Sequence, residues 1–381
     1  MSNAEFEAVI GLEVHAQLAT QSKIFAPSAT KAGEPPNTLT DPVTLGLPGA
    51  LPVLNRTAVE FAIRLGLATE SNIHRESIFA RKHYLYPDLP KGYQISQYEK
   101  PICTKGKIQI RLNGQVKDIG LTRIHLEEDA GKNIHHADEP YSTVDLNRAG
   151  VPLVEIVSEP DIRSADEAGA YMRRIRQIVR YLDICDGNME EGSLRCDANV
   201  SVRPTGTTEF GQKVEIKNIN SFRFVEKAIE FEIERQIRAI KAGEAINQET
   251  RLWDENKNET RVMRTKEFAA DYRYFPDPDL LPLVVDESWI QRVRSTLPEL
   301  PHQAFERFRS MYGLDDYNAE ILTQERLVAS YYDQAVSTHN NPQAIANWLT
   351  TELFGRLNKD NIPMSSCPVS PENLAELVKL I

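Results

Sequence analysis

From Ser193 to Arg203 the side chains change character at every step. Leu194, Cys196, Ala198, Val200 and Val202 are apolar, and Ser193, Arg195, Asp197, Asn199 and Ser201 between them are polar. A period of two belongs to an extended strand, whose successive side chains point to opposite faces of a sheet; wound into a helix, the same residues would scatter both sets. This stretch therefore demands a sheet with one face in a core and the other carrying acids, amides and a guanidinium.

The pattern recurs along the first half of the chain. In Val9–Leu18, Leu12, Val14 and Ala16 alternate with Glu13, His15 and Gln17. In Leu121–Asp129, Ile124 and Leu126 face away from Arg123, His125 and Glu127. In Lys213–Lys217, Val214 and Ile216 oppose Lys213, Glu215 and Lys217, and this strand pairs with Ser193–Arg203 across the connection Pro204–Gln212. In Val151–Glu159, Glu155 lies among Val and Ile, so a carboxylate enters a buried strand, where it must be paired or bound to a metal. Asn113-Gly114, between Lys107–Leu112 and Gln115–Ile119, signals a type I′ hairpin.

Two helices interrupt the strands. One opens at Ser164, with Glu167 three residues on as a capping box, carries Met172, Ile175, Ile178, Val179 and Leu182 on one stripe and stops near Gly187. The other runs from Ser221 to Ala242 with Phe222, Val225, Ile229, Ile233 and Ile237 as its apolar face and Gly243 as its stop. Helices covering one face of an antiparallel sheet make an α+β domain. From about Asp286 the pattern turns helical, in segments that include Pro301–Tyr312, Glu325–Ser337 and Pro342–Asn358. A boundary in Pro282–Leu297 divides the chain into residues 1–293 and 294–381. Ser370 and Pro371 open a last helix that is still running at Ile381, so a further C-terminal part is expected.

The polar faces together suggest a site floor. Glu13, His15, either Glu127 or Glu128, and Glu155 offer ligands for one or two divalent cations, and Arg195, Lys213 and Lys217 offer charge to phosphate oxygens. Phosphoryl transfer needs that combination, since its catalysis is mostly positioning and charge stabilisation. An antiparallel sheet can leave one face in water, but a merely solvated face would carry more Thr, Lys and Gln than Asp, Asn, Ser, Glu, His and Arg. His125 reads equally well as an ordinary core residue.

Two further segments mix cations with aromatics: Arg81-Lys-His-Tyr-Leu-Tyr-Pro-Asp88 with Lys91-Gly-Tyr-Gln-Ile-Ser96, and Asp271-Tyr-Arg-Tyr-Phe-Pro276. Both suit a polar substrate or an RNA end on which Tyr can stack, and both suit ordinary surface turns. Arg251 and Arg261–Arg264 flank the polar turn Asp254–Asn258 as a surface hairpin.

The net charge of −11 argues against a nucleic-acid coat protein and agrees with a carboxylate-rich cation site. No apolar run reaches membrane-spanning length, the N-terminus does not read as a signal peptide, and the four cysteines form no C-x-x-C pair; a reducing, cytoplasmic setting is expected. P-loop, dinucleotide-binding and nucleophile-elbow glycine motifs do not occur.

Several long motifs, in order, resemble the B subunit of the aspartyl/glutamyl-tRNA(Asn/Gln) amidotransferase: Val9-Ile-Gly-Leu-Glu-Val-His15, Leu47-Pro-Gly-Ala-Leu-Pro-Val-Leu-Asn55, Arg123-Ile-His-Leu-Glu-Glu-Asp-Ala-Gly-Lys132, Asp145-Leu-Asn-Arg-Ala-Gly-Val-Pro-Leu-Val-Glu155, Ser158-Glu-Pro-Asp-Ile162, Met189-Glu-Glu-Gly-Ser-Leu-Arg-Cys-Asp-Ala-Asn199 and Asp271-Tyr-Arg-Tyr-Phe-Pro276. The resemblance covers essentially the whole chain. It implies an antiparallel cradle domain related to glutamine synthetase, followed by a helical domain. It implies ATP- and Mg²⁺-dependent phosphorylation of the side-chain carboxylate of Glu or Asp mischarged on tRNA. Amidation follows, with ammonia from the glutaminase (A) subunit, and the small (C) subunit completes the complex.

By the resemblance, Glu13, His15, Glu127, Glu128 and Glu155 are similar to the family's metal positions, and Lys82 to a channel-gate residue. Together with the strand reading, Arg195, Asp197 and Lys217 join these acids as candidate catalytic groups, and Ser193, Arg195, Asn199, Glu215 and Lys217 as candidate nucleotide contacts. Where some relatives carry two cysteine pairs for zinc, this chain has Phe25-Ala-Pro-Ser28 and Asp41-Pro-Val-Thr44, so no zinc is expected. A family tail domain that helps grip tRNA would lie beyond Ile381. A non-catalytic tRNA-docking scaffold would explain the aromatic-basic segments but not the carboxylates that share a face with His15. A stand-alone carboxylate–amine ligase acting on a small substrate is the third reading.

Overall fold

In chain order the strands are β1 (Phe6–Gln17), β2 (Asn72–Ile73), β3 (Glu76–Ser77), β4 (Phe79–His83), β5 (Tyr93–Gln97), β6 (Cys103–Leu112), β7 (Gln115–Glu128), β8 (Lys132–His135), β9 (Ser142–Asp145), β10 (Pro152–Ser158), β11 (Leu194–Pro204), β12 (Val214–Ile219), β13 (Glu249–Asp254), β14 (Glu259–Thr265), β15 (Phe275–Pro276) and β16 (Leu283–Val284). They were located in a computed structural model that describes residues 5–136, 139–265 and 271–381. The chain forms two compact units: Met1–Arg176 with Asp183–Thr296, and Gln177–Leu182 with Leu297–Ile381.

The first unit is built on one large sheet ordered β14-β13-β12-β11-β1-β10-β7-β5-β4-β15, with β6 paired to β7 and β2 to β6. The five alternating segments read from the sequence are β12, β11, β1, β10 and β7, and they lie side by side in that order. The sheet is not purely antiparallel, as the sequence suggested: β12 and β13 run parallel. The reason is topological. The chain leaves β12 along the helix α3 (Phe222–Lys241) and must return beside the strand it left, and such a crossover delivers a parallel neighbour. The Asn113-Gly114 turn is formed as read, with both residues at positive φ (51° and 76°) between β6 and β7.

The apolar face holds the core. Leu12, Val14, Ala16, Ile124, Leu126, Val154, Ile156, Leu194, Cys196, Ala198, Val200, Val214 and Ile216 are all buried. Helix α3 packs on β11 and β12 and buries Val225, Ala228, Ile229 and Ile237. Its cap is Ser221, whose side chain accepts from the Phe224 amide. Helix α2 (Ala165–Tyr181), of which Ala165–Arg176 belong to this unit, buries Tyr171, Met172 and Ile175 there. At its start Ser164 Oγ accepts from the Glu167 amide (3.1 Å), while the Glu167 carboxylate reaches past the cap to the Arg163 amide (2.8 Å).

Beyond these two, the unit holds a helix that the sequence pattern does not announce. This is α1 (Arg56–Ala68), capped by Asn55, which buries Val59, Ala62, Ile63 and Leu65. Its Thr57, Val59, Phe61 and Ile63 are strand-favouring residues, which hid the helical spacing. A short α4 (Glu287–Arg294) closes the unit.

The second unit is helical: α5 (Pro301–Tyr312), α6 (Asp316–Leu322), α7 (Arg326–Thr338), α8 (Pro342–Asn347), α9 (Phe354–Lys359) and α10 (Pro371–Leu380). Its own core gathers Phe308, Leu322, Tyr332, Ile345, Leu349 and Ala375. The single helix expected over Pro342–Asn358 contains a π-helical stretch at Trp348–Leu353 between α8 and α9. Among the described residues no helix is long and apolar enough to cross a membrane.

Candidate active site

Register decides which polar side chains meet. His15 on β1 stands opposite Glu155 on β10 and Arg195 on β11, and Glu155 stands opposite His125 on β7. Four polar residues thus form a row across four strands. Two residues along β1, about 7 Å away, Glu13 faces Asp197, and beyond it Asn199 faces Glu215 on β12.

The row condenses into a cluster. His15 Nε2 lies 3.3 Å from Glu155 Oε2 and 3.8 Å from Glu127 Oε1. His125 Nε2 lies 3.4 Å from Glu155 Oε2 and 3.6 Å from Glu127 Oε2. One ligand atom each from His15, Glu127 and Glu155 falls within a 4.8 Å span. One imidazole nitrogen from a half-buried side chain and two carboxylate oxygens from buried ones converge here and suit a divalent cation with oxygen-rich coordination.

The charges here depend on one another. Burial by itself lowers the pKa of His15, but the hydrogen bond and charge of Glu155 and the charge of Glu127 outweigh it and raise the imidazole to about 9. Burial opposes ionisation of Glu155, yet His125, His15 and Arg123 hold its carboxyl far below the usual range. Burial and the neighbouring Glu155 also oppose ionisation of Glu127, and the bond from His125, with the charges of both histidines, pulls it down.

Two more groups of charges share this face. Asp129 is buried and accepts from Gln17 Nε2 (2.8 Å) and Arg195 (3.0 Å), with Arg148 3.6 Å away, so its carboxyl stays ionised despite burial. Lys217 Nζ lies 2.5 Å from Asp197 and 3.3 Å from Glu215, and these anions raise its pKa against the effect of burial. Asn199 donates to Glu13 Oε1 (2.9 Å) and Thr250 to Glu215 (2.8 Å). Among the described residues the Nε atoms of Arg123 and Arg195 are buried donors without partners, so the face has unspent capacity for an anion.

The two aromatic-basic segments come together beside these acids. β15 pairs with β4 through Phe275 and Arg81, and the His83 amide donates to the Tyr272 carbonyl (2.9 Å). Lys82 Nζ sits over the rings of Tyr272 (4.9 Å) and Tyr84 (5.8 Å), and Tyr98 and Tyr274 stack face to face at 4.1 Å. Burial first, and then the charge of Glu127, raise the phenols of Tyr84 and Tyr274 well above their ordinary value.

Residues 8–291 match the family model described as the GatB/GatE catalytic domain, and residues 330–381 match the model described as the GatB domain. This chain belongs to the family of amidotransferase B subunits. It is 58% identical over 377 residues to the aspartyl/glutamyl-tRNA(Asn/Gln) amidotransferase B subunit of Thermodesulfovibrio yellowstonii, covering 99% of this chain and 79% of that one. To the B subunit of Geobacter sulfurreducens it is 59% identical over 380 residues, and to that of Pseudomonas savastanoi pv. phaseolicola 57% over 378, with the same shares.

Within this B-subunit fold the residues named from the sequence separate. His15, Glu127 and Glu155 meet in one cluster; Glu13, Asp197, Asn199, Glu215 and Lys217 form a second, linked group on the same face. Glu128 does not join. As the next residue on β7 it points to the opposite face, where it is ion-paired to buried Lys91 and accepts from the Ile95 amide (2.8 Å). Ser193 precedes β11 and its hydroxyl is turned to Asp186 and the Asn188 carbonyl, away from the row. Lys213 is exposed before β12.

Of the hairpin arginines, Arg251 is held by Glu249 (2.5 Å) and Thr260, Arg261 pairs with Asp254, and the Arg264 side chain lies outside the described residues. Three residues of the site, Arg123, Asp129 and Ser96, are not among the candidates read from the sequence. Asp129 is signalled by its place two residues after Glu127, but Ser96, which donates to Glu127 (3.2 Å), carries no local signal.

Proposed function

We propose that this chain is the kinase and amide-transfer subunit of a tRNA-dependent amidotransferase, working in the cytoplasm with a glutaminase (A) subunit and a small (C) subunit. The observation that carries this reading is the convergence of His15, Glu127 and Glu155 beside the Nε donors of Arg123 and Arg195, which have no partner among the described residues, on the polar face of a sheet whose other face is core. A glutamine synthetase-like cradle formed by the first unit, with residues 1–293 as catalytic domain and 294–381 as helical domain, belongs to the same proposal.

In this reading His15, Glu127 and Glu155 hold Mg²⁺, with Glu13 available to a second ion. A cation held there would supply Lewis-acid chemistry, withdrawing charge from the terminal phosphate oxygens of ATP. Arg195 and Arg123 bind the transferred phosphoryl group through their spare donors, and Lys217, oriented by Asp197 and Glu215, balances its charge. Asn199 keeps Glu13 in position.

The side-chain carboxylate of Glu or Asp on tRNA attacks the γ-phosphorus of ATP and ADP leaves. Ammonia then attacks the acyl carbon of the acyl phosphate, the C–O bond breaks, and inorganic phosphate departs with its electrons and takes up the proton that the nitrogen loses. Tyr84, Tyr272 and Tyr274 supply ring faces for the aminoacylated tRNA end, and Lys82 lies where ammonia would arrive.

We further propose that no zinc is bound at Phe25–Ser28 and Asp41–Thr44. Asp41 closes that segment instead, accepting from Ser28 Oγ (2.5 Å), Thr44 Oγ1 (2.9 Å) and the Val43 and Thr44 amides (2.9 Å each), with buried Lys23 4.0 Å away.

The test is Glu155→Gln in the assembled enzyme with mischarged tRNA, ATP, Mg²⁺ and ammonia. ADP formation should fall by about 100-fold or more. Unchanged ADP formation rejects the metal assignment, and equal activity on free glutamate without tRNA favours a small-substrate ligase.

A further inference from the structure

The cluster contains an imidazole that the proposed cation does not need. His125 is 3% exposed, and its Nε2 is directed at both carboxylates. Glu127 divides its oxygens: Oε1 faces His15, while Oε2 faces His125 and accepts from Ser96 Oγ. Glu155 Oε2 lies between the two imidazoles. At the far side of the His125 ring, Nδ1 is buried with no partner among the described residues.

In the neutral ring that orphan fixes the tautomer, and a charged ring would carry the Nε2 proton as well. A proton on Nδ1 would bury a donor without an acceptor and turn the Nε2 lone pair toward two anions. A proton on Nε2 donates to the carboxylates and leaves only a bare acceptor inside, the cheaper of the two unsatisfied groups. An imidazole that ligates a cation needs its lone pair on the side facing it, and that is the side on which His125 carries its proton.

We propose that His125 is a positioning residue: its Nε2–H holds Glu127 and Glu155 so that they present oxygens beside His15 to a divalent cation, while His125 itself stays outside the coordination sphere. The inference rests on the cation reading of the cluster. Outer-shell partners of this kind orient the ligands, and their loss weakens metal binding by about 10- to 100-fold.

The experiment uses Mn²⁺ alone as the probe and the full chain. Binding is measured by titration calorimetry, and pulsed EPR counts imidazole nitrogens coupled to the ion. Wild type should show one coupled imidazole. His125→Leu and the shorter His125→Asn should lose about 10- to 100-fold in Mn²⁺ affinity. His125→Gln, whose amide nitrogen reaches the place of Nε2, should recover affinity to within about 3-fold and keep one coupled imidazole.

A general loss of structure is separated by melting in EDTA: His125→Gln should match wild type there, so the rescue stands even if His125→Leu does not fold. Two coupled imidazoles in wild type would make His125 a ligand and overturn the proposal. So would a His125→Asn affinity within 2-fold of wild type, or a His125→Gln affinity as poor as that of His125→Asn. Wild type that binds no Mn²⁺, or whose binding survives Glu155→Gln, would overturn the cation site itself, a failure distinct from that of His125.

Discussion

Loading the cluster with a divalent cation should expel a proton. His15 is raised to about 9 because Glu155 and Glu127 lie beside it, so at pH 7 its protonated form outnumbers the neutral one by about 100 to 1. Both carboxylates are already ionised, their pKa values being held low. Only the neutral imidazole can ligate, and removing its proton costs about 2.7 kcal/mol at pH 7. Affinity should therefore climb about tenfold per pH unit from 7 and level off above pH 9.

Calorimetric Mn²⁺ titrations in two buffers of different ionisation enthalpy report the proton directly: about one released per ion at pH 7, and close to none at pH 10. No proton release at pH 7, with affinity flat from pH 7 to 9, would refute the argument. The same shift has a sign for stability. A folded-state pKa above the unfolded value of 6.5 contributes stability that is fully present below pH 6.5 and lost as pH rises through 9. In EDTA the melting-temperature gap between wild type and His15→Asn should accordingly shrink across that window.

Other outcomes follow from single contacts. Glu127→Gln should abolish Mg²⁺-dependent ADP formation, whereas Glu128→Gln should leave Mg²⁺ affinity near wild type but destabilise the chain by about 3–5 kcal/mol, because it strands buried Lys91 without its counter-charge; cation titration and thermal melting together separate the two. Gly66→Ala should lower stability by about 1–3 kcal/mol in denaturant melts, since an added Cβ would stand 2.5 Å from Cys103 Sγ and 3.3 Å from Ile73. Tyr272→Ala should raise KM for mischarged tRNA while ATP affinity is kept, because it removes a ring from the Lys82 platform and leaves the acids intact.

How far the sequence carried these conclusions depended on the range of the physics involved. Alternation is local, so the faces of β1, β7, β11 and β12 could be read directly, and with them which residues would share a side of the sheet. Between Glu127 and Glu128 the sequence reading stayed open; the structure decides, because β7 runs through both without a bulge, paired to Leu153 and Pro152, and neighbours on one strand cannot face the same way. Register is not local. Nothing near His15 in the chain announces that Glu155, Arg195 and His125 stand in its row, 110 to 180 residues away.

The same holds for the meeting of Lys82 with Tyr272, made by a two-residue pairing of β4 and β15 that no periodicity reveals. Helix α1 was hidden by its own composition, and the parallel step at β12–β13 by the lack of any signal in the strands themselves.

The central claim is that one imidazole and two carboxylates, gathered by pleat and register, hold the cation that serves phosphoryl transfer. Anomalous diffraction from crystals grown with Mn²⁺ and ADP tests it most directly. The prediction is a peak about 2.0–2.3 Å from His15 Nε2 and from one oxygen each of Glu127 and Glu155, with ADP phosphate oxygens on its open side. A peak bound by Glu128 instead, or a nucleotide on another face of the sheet, would contradict the account.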